Sequence, residues 1–127
     1  MTGVVYDSGA LIAGERQDRR FAVLHARSLA RNLVPVVPAT VLAQVWGGGP
    51  RQAVLVRVLR GCEIEPLTPE RAQAVGQLRV ASGHPDIVDV SVVECAKRRH
   101  SSVITSDPRD IRTVAEAIVS AIHIEPI

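Results

Sequence analysis

Aromatic residues are almost absent from this chain: Tyr6, Phe21 and Trp46 are the only ones among 127 residues. Three rings cannot form the row of stacking platforms that single-strand binding requires, and the core has to be filled by Val, Leu, Ile and Ala. Cysteine is scarce as well. Cys62 and Cys95 stand far apart, and the first residues lack the basic, apolar, small-residue order of a secretory signal. Two reduced, buried thiols in a cytoplasmic protein are therefore expected. No apolar run approaches the roughly 20 residues that span a bilayer, so a membrane role is unsupported. Lysine occurs once, as Lys97, and every other basic side chain apart from histidine is arginine. The planar guanidinium suits phosphate because it donates two parallel hydrogen bonds, but a net charge of +2 is too small to establish an anionic partner by itself.

What is present is ordinary for a globular protein. Hydrophobic residues make up 46% and charged residues 22%, which argues against disorder. The length fits one domain, residues 1–127, with no internal repeat, linker or low-complexity tract.

Along the chain, short β-type runs alternate with helical patterns. Val4, Val5 and Tyr6 lead into Asp7, after which Ser8, Gly9, Ala10, Leu11 and Ile12 turn toward a helical pattern. A helix is predicted from about Phe21 to Asn32, with Phe21, Leu24 and Leu29 buried, Arg27 and Arg31 in solvent and His25 structural. VPVVPAT is a strand running into a helix that carries Thr40, Val41, Leu42, Gln44, Val45 and Trp46, ended by Gly47 to Pro50. Thr40 and Gln44, four apart, share one face of it. Another helix, about Arg51 to Leu59, precedes the short strand in CEIEPL. Thr68, Pro69 and Glu70 give the cap, first residue and first-turn acid of the next helix, which Ser82, Gly83, His84 and Pro85 break. A helix from Asp86 to about Arg99 follows, with Ile87, Val90, Val93 and Ala96 inward. SSVITSD is a strand ending in Asp107, and a short helix around Val114 to Ala117 precedes a final strand in SAIHIEPI. Strands alternating with helices predict an α/β fold with a mainly parallel sheet covered on both faces.

In such sheets sites form outside the carboxyl ends of the strands. Asp7 and Asp107 both follow strands, and parallel strands share one carboxyl edge. Asp86 and Asp89 open a helix that lies between them in sequence, and the pattern alone does not say on which side that helix starts. Carboxylates gathered in a cleft repel one another. A hard divalent cation such as Mg²⁺, which prefers oxygen ligands, removes that conflict. Each acid also has a plain structural reading. Asp7 and Asp86 can be helix caps, Asp89 is favoured in a first turn by the helix dipole, and Asp107 before Pro108 can start a turn.

VVYDSGALIA, VPATVLAQVWGGGPRQA and DIVDVSVVECAKRRHSSVITSDPRDI together resemble the PIN-domain ribonucleases, and among them the VapC-type toxins of bacterial toxin–antitoxin pairs. The resemblance runs from the first strand to the last. It implies a PIN-like fold and a metal-dependent endoribonuclease in which Asp7, Asp89 and Asp107 hold Mg²⁺ or Mn²⁺. Asp86 is then an accessory carboxylate or a cap, and Asp110 a supporting one. The remaining acidic position of the family is normally Glu, and here it is Gln44, whose amide can orient a water but carries no charge. The resemblance also implies an RNA substrate, a cognate VapB-type antitoxin in the cleft and a homodimer.

Thr105 and Ser106 could assist by hydrogen bonding. Arg16, Arg19, Arg20 and Arg51 are the arginines expected to hold RNA phosphates, whereas the run from Lys97 to His100 reads as a helix-end charge cluster. The main rival is a PIN-like module that binds RNA and antitoxin but is catalytically impaired by Gln44. A haloacid-dehalogenase-type phosphatase is weaker because it wants an acid where Gly9 stands. A phosphoacceptor receiver domain is also weaker, since its lysine could only be Lys97, in the wrong element.

Overall fold

The computed structural model describes residues 3–119 and 121–127; Met1, Thr2 and Ser120 lie outside them. Five short strands, β1 (Val4–Tyr6), β2 (Val36–Pro38), β3 (Glu63–Glu65), β4 (Ser102–Thr105) and β5 (Ile124–Pro126), form one sheet in the order β3-β2-β1-β4-β5. Every neighbouring pair is parallel. The apolar central strands are buried, with Val5, Tyr6, Val37 and Val103 fully inaccessible. Such continuous burial is characteristic of a parallel sheet covered on both sides.

Seven helices make the connections: α1 (Ser8–Glu15), α2 (Arg19–Ala30), α3 (Ala39–Val45), α4 (Ala53–Arg60), α5 (Pro69–Ser82), α6 (Ile87–Arg99) and α7 (Pro108–Ala115). The chain moves outward from β1 to β3 and then returns to build β4 and β5 on the other side. Right-handed crossovers in opposite directions put their helices on opposite faces. The packing agrees with this, for α1 lies against α2 and α4, while α6 lies against α5 and α7. The fold expected from the sequence is therefore present.

Some local expectations need correction. α2 starts at Arg19, two residues early, because Asp18 caps it by accepting from the Phe21 amide at 2.9 Å. Its buried face is Phe21, Leu24 and Ser28, whereas Leu29 is 41% exposed. The helix expected from Arg51 is a single 3₁₀ turn, Pro50–Gln52, before α4. Ile87 is 44% exposed because it occupies the first position of α6, ahead of the buried stretch from Val90 to Ala96. Cys95 is buried but Cys62 only partly so, and both thiols are free. The final helix is not at Val114 to Ala117 but at Pro108–Ala115. Asp107 caps it, Pro108 opens it and Asp110 stands in its first turn, the usual start signals of a helix. The last strand is shorter than SAIHIEPI, and Ser120 within that segment is not described.

The basic run after Lys97 is structural where it meets Glu65. Arg98 donates to both Glu65 carboxylate oxygens, at 2.8 and 2.6 Å, and to Glu94 at 3.0 Å; Arg99 reaches Glu65 at 2.7 Å and Glu63 at 2.6 Å. The C-terminus of α6 is thereby tied to the edge strand β3. Burial pushes the Glu65 carboxyl upward, but hydrogen bonds from Arg98, Arg99 and Cys95 outweigh it and hold the group at about 2.

At the opposite end of the strands, Gly9 in the first turn of α1 lies against Ser106. A Cβ on Gly9 would fall 1.8 Å from the Ser106 Oγ and 2.9 Å from its Cβ. The lack of a side chain lets the loops after β1 and β4 close on each other.

Two outcomes check this packing. Glu65→Gln should destabilise the protein at neutral pH by about 2–3 kcal/mol, since it weakens a buried carboxylate's charged hydrogen bonds and leaves Arg98 and Arg99 underpaired. Because the folded carboxyl sits at about 2 against an ordinary 4.5, its contribution is complete above 4.5 and fades toward pH 2. Denaturant unfolding of both proteins across that range reads the difference. Gly9→Ala should cost about 1–3 kcal/mol through overpacking, with much of the loss recovered by adding Ser106→Gly.

Candidate metal centre at the switch point of the sheet

β1 and β4 are neighbours, with Val4, Val5 and Tyr6 in register with Ser102, Val103 and Ile104. They are also where the strand order reverses, so the crevice beyond their carboxyl ends is the topological switch point where ligands bind in open α/β sheets. Asp7 leaves the first strand and Asp107 follows the second. Only His100 and Ser101 separate α6 from β4, so α6 must run antiparallel to the strand it feeds. Its first turn, with Asp86 and Asp89, therefore lies at the same carboxyl edge as Asp7 and Asp107, the point that sequence could not decide.

Three of the candidate residues, Asp7, Asp86 and Asp107, are helix caps. Asp7 accepts from the Ala10 amide through Oδ1 at 2.8 Å and starts α1. Asp86 Oδ1 accepts from the amides of Val88 and Asp89, at 2.9 and 3.3 Å, and starts α6. Asp107 Oδ1 accepts from the Asp110 amide at 3.4 Å and starts α7. Three helix N-termini converge, and their amide dipoles favour negative charge there. In each cap Oδ1 is the accepting oxygen and Oδ2 takes no part in it.

Asp7 is 4% exposed. Burial raises its carboxyl above the ordinary value and Asp107 adds to the rise, while hydrogen bonds from Thr105 and the Ala10 amide oppose it. Thr105, fully buried, also accepts from the Asp107 amide at 2.8 Å. This hydroxyl thus joins the two strand ends. Asp89 is pushed up to about 6, first by burial and then by Asp86, with Asp110 and Asp7 adding and His84 opposing. Asp107 thus acts on Asp7, and Asp7 and Asp110 on Asp89, along one edge of the sheet, although Asp7 and Asp107 do not join the group whose ligand atoms lie within 4.8 Å of one another among the described residues.

His84 is the member that sequence reasoning missed, having read it only as part of a helix break. It is 9% exposed, and its Nε2 lies 3.8 Å from Asp89 Oδ2 and 3.6 Å from Asp110 Oδ1. The side-chain atoms of His84, Asp89 and Asp110 lie within 4.8 Å of one another. Among the described residues, the basic side chain within 4.0 Å of these carboxylates is His84. A cluster of hard oxygen donors in which burial raises Asp7 and Asp89, with no arginine or lysine bridging it among the described residues, fits a divalent cation.

Gln44 is exposed on α3 and its Oε1 accepts a hydrogen bond from Ser8 Oγ, one residue beyond Asp7. Thr40, on the same face, turns instead to Ser91 Oγ on α6. Gln52 finishes α3 by accepting from the Gly47 and Gly48 amides and donating to the Val45 carbonyl.

The arginines expected at this edge are only partly placed for it. Arg16 caps the far end of α1, about 13–14 Å along the axis from Asp7. Arg20 donates to the Pro126 carbonyl at 2.9 Å, while Arg19 and Arg51 are exposed. A cavity of about 200 Å³ lined by Val4, Leu24, Ser28, Ser102 and His123 lies toward the strands' amino ends, away from the carboxylates. No helix among the described residues is long and apolar enough to cross a membrane.

No protein-family model matches the sequence, and no curated protein does. Solved structures do match. A chain in the crystal structure of VapBC2 from Rickettsia felis, bound to a DNA fragment from their promoter, superposes with a TM-score of 0.76 at 13% identity, covering 98% of both chains. PAE2754 from Pyrobaculum aerophilum superposes with a TM-score of 0.63 at 16% identity, covering 96% of this chain and 83% of that one. At such identities the likeness is one of fold, and the PIN-like α/β architecture expected from the sequence motifs is the architecture found.

Proposed function

We propose that this chain is a single-domain, VapC-like toxin that cleaves RNA phosphodiester bonds with Mg²⁺ or Mn²⁺ and is held inactive by a VapB-type antitoxin. The reading is supported by carboxylates at the switch point that act on one another, Asp107 on Asp7, and Asp86, Asp110 and Asp7 on Asp89, with Asp7 and Asp89 raised first by burial; the group whose ligand atoms lie within 4.8 Å of one another is His84, Asp89 and Asp110. The fold shared with a chain of the VapBC2 complex supports the toxin–antitoxin setting.

Asp7, Asp89 and Asp107 would hold the cation, with Asp86 and Asp110 at its margin. When bound, such an ion lowers the pKa of a water and offsets charge on the phosphoryl oxygens. Thr105 and the helix-start amides fix the carboxylates beforehand, so little reorganisation is left to the reaction. Gln44, steadied by Ser8, would orient a water near Asp7, while Arg19 and Arg51 would hold neighbouring phosphates. RNA would be selected by shape and by exposed loop bases. A homodimer working in the cytoplasm completes the proposal.

A second reading has a specific observation in its favour. Gln44 is neutral and its carbonyl oxygen is already taken by Ser8, so the chain could be an impaired module that binds antitoxin and RNA without cutting. Purified protein with RNA and Mg²⁺ decides between them. The nuclease reading expects cleavage that stops on chelation, falls about a hundredfold or more in Asp7→Asn and rises about tenfold in Gln44→Glu as metal affinity improves. Cleavage appearing only in Gln44→Glu would favour the impaired module.

Asp89 yields a prediction that needs no substrate. Its folded carboxyl, at about 6 against 3.8, takes up protons before the unfolded one does, so metal-free stability falls as pH rises from 3.8 to about 6 and stays lowered above that. Asp89→Asn should raise the metal-free Tm at pH 8, by at most about 3 kcal/mol equivalent, with the gain vanishing below pH 3.8. Saturating Mg²⁺ should stabilise the wild type and not the variant.

A further inference from the structure

Deepening that reading of the metal centre and resting on it, we propose that His84 is a positioning residue. Its Nε2–H stands between the carboxylates of Asp89 and Asp110, placed to donate to either, and it does not itself ligate the cation.

The other ring nitrogen of His84, Nδ1, decides which nitrogen carries the proton. Gly83 ends α5 in the left-handed region at φ 70°, and the His84 amide then donates to Ser82 Oγ at 3.2 Å, which turns the imidazole inward. Its Nδ1 accepts a hydrogen bond from the Asp86 amide at 3.2 Å. A nitrogen that accepts an N–H has its lone pair engaged, so the proton of the neutral ring resides on Nε2. That N–H faces Asp89 Oδ2 at 3.8 Å and Asp110 Oδ1 at 3.6 Å. A small side-chain adjustment closes it onto either.

The three side chains have the ligand types and mutual spacing of a metal site, within 4.8 Å, and the wiring argues against that use. A ligating imidazole offers its lone pair to the metal and donates its other N–H outward to a carboxylate, carbonyl or water. To ligate through Nε2, His84 would carry its proton on Nδ1, pointed at the Asp86 N–H. Donor would face donor in a side chain that is 9% exposed. The amide that starts α6 therefore selects the donor tautomer. The role that follows is to stand between two helices, Asp89 being on α6 and Asp110 on α7, so that the one N–H steadies whichever carboxylate it closes onto and keeps the other near it. Oxygen atoms alone then face the cation, which favours a hard ion over one that seeks nitrogen.

The test uses the full chain. Long-range ¹H–¹⁵N spectra read the His84 tautomer without metal, with Mg²⁺ and with Zn²⁺, and calorimetry reads Mg²⁺ affinity for wild type, His84→Ala and His84→Gln, each checked for folding by circular dichroism. The expected result is Nε2–H in all three states of the wild type. His84→Ala should lose about 10–100-fold in Mg²⁺ affinity, and His84→Gln, which keeps an N–H donor without an imidazole lone pair, should regain most of it. A wild type that binds Mg²⁺ but shows Nδ1–H, or Zn²⁺ seated on Nε2, overturns this inference alone. So does equal affinity in wild type and His84→Ala, or a His84→Gln as weak as His84→Ala. A wild type that takes up no Mg²⁺ overturns the metal centre and this inference together.

Discussion

The adjacency of β1 and β4 is the constraint on which the rest depends. Parallel pairing in register from Val4–Ser102 to Tyr6–Ile104 makes both strands end at the same level, and each is followed at once by a helix whose first turn is capped by aspartate. Two carboxylates are thereby brought to one crevice by backbone hydrogen bonding, before any side chain selects a partner. Gly9 permits the approach, and the Thr105 hydroxyl, between Asp7 and the Asp107 amide, holds it.

The same geometry removes an opposition that looked real in the sequence. A capping aspartate and a ligand aspartate were alternatives there, because either would explain an acid before a helix. In three dimensions the cap engages Oδ1 of Asp7, Asp86 and Asp107, and the dipoles of three converging helices moderate the charge that remains. A cap made by a carboxylate is a way of aiming its second oxygen. The cost shows in Asp7 and Asp89, whose carboxyls are raised despite the amides around them.

Much of the fold could be read from the chain because strand and helix patterns alternate cleanly and Thr68, Pro69 and Gly83 punctuate them. What escaped did so for identifiable reasons. The start of α7 was hidden because Asp107 and Pro108 serve equally as turn and as helix opening, and only tertiary packing of Ile111 and Val114 decides. Leu29 and Ser28 exchange places because hydrophobicity says little about which side of the helix meets the sheet. The side on which α6 begins followed from the brevity of the link through His100 and Ser101, not from periodicity. His84 carried no legible signal, since its value lies in contacts to Asp89 and Asp110, five and twenty-six positions away.

Helix α6 shows how one element can treat charge in two ways. At its C-terminus Arg98 and Arg99 neutralise Glu63, Glu65 and Glu94 with the chain's own cations, and the result ties α6 to the edge of the sheet. At its N-terminus Asp89 is acted on by Asp86, Asp110 and Asp7, with the His84 imidazole 3.8 Å from Asp89 and 3.6 Å from Asp110. Both clusters contain buried or half-buried carboxylates, yet the first is held at about 2 and the second at about 6 for Glu65 and Asp89. A paired cluster has nothing left to offer a ligand, because its oxygens are saturated by guanidinium donors. A cluster left under mutual repulsion would release that free energy to a cation bound as proposed, so one helix carries at its two ends a carboxylate cluster neutralised by the chain's own guanidinium groups and one that is not.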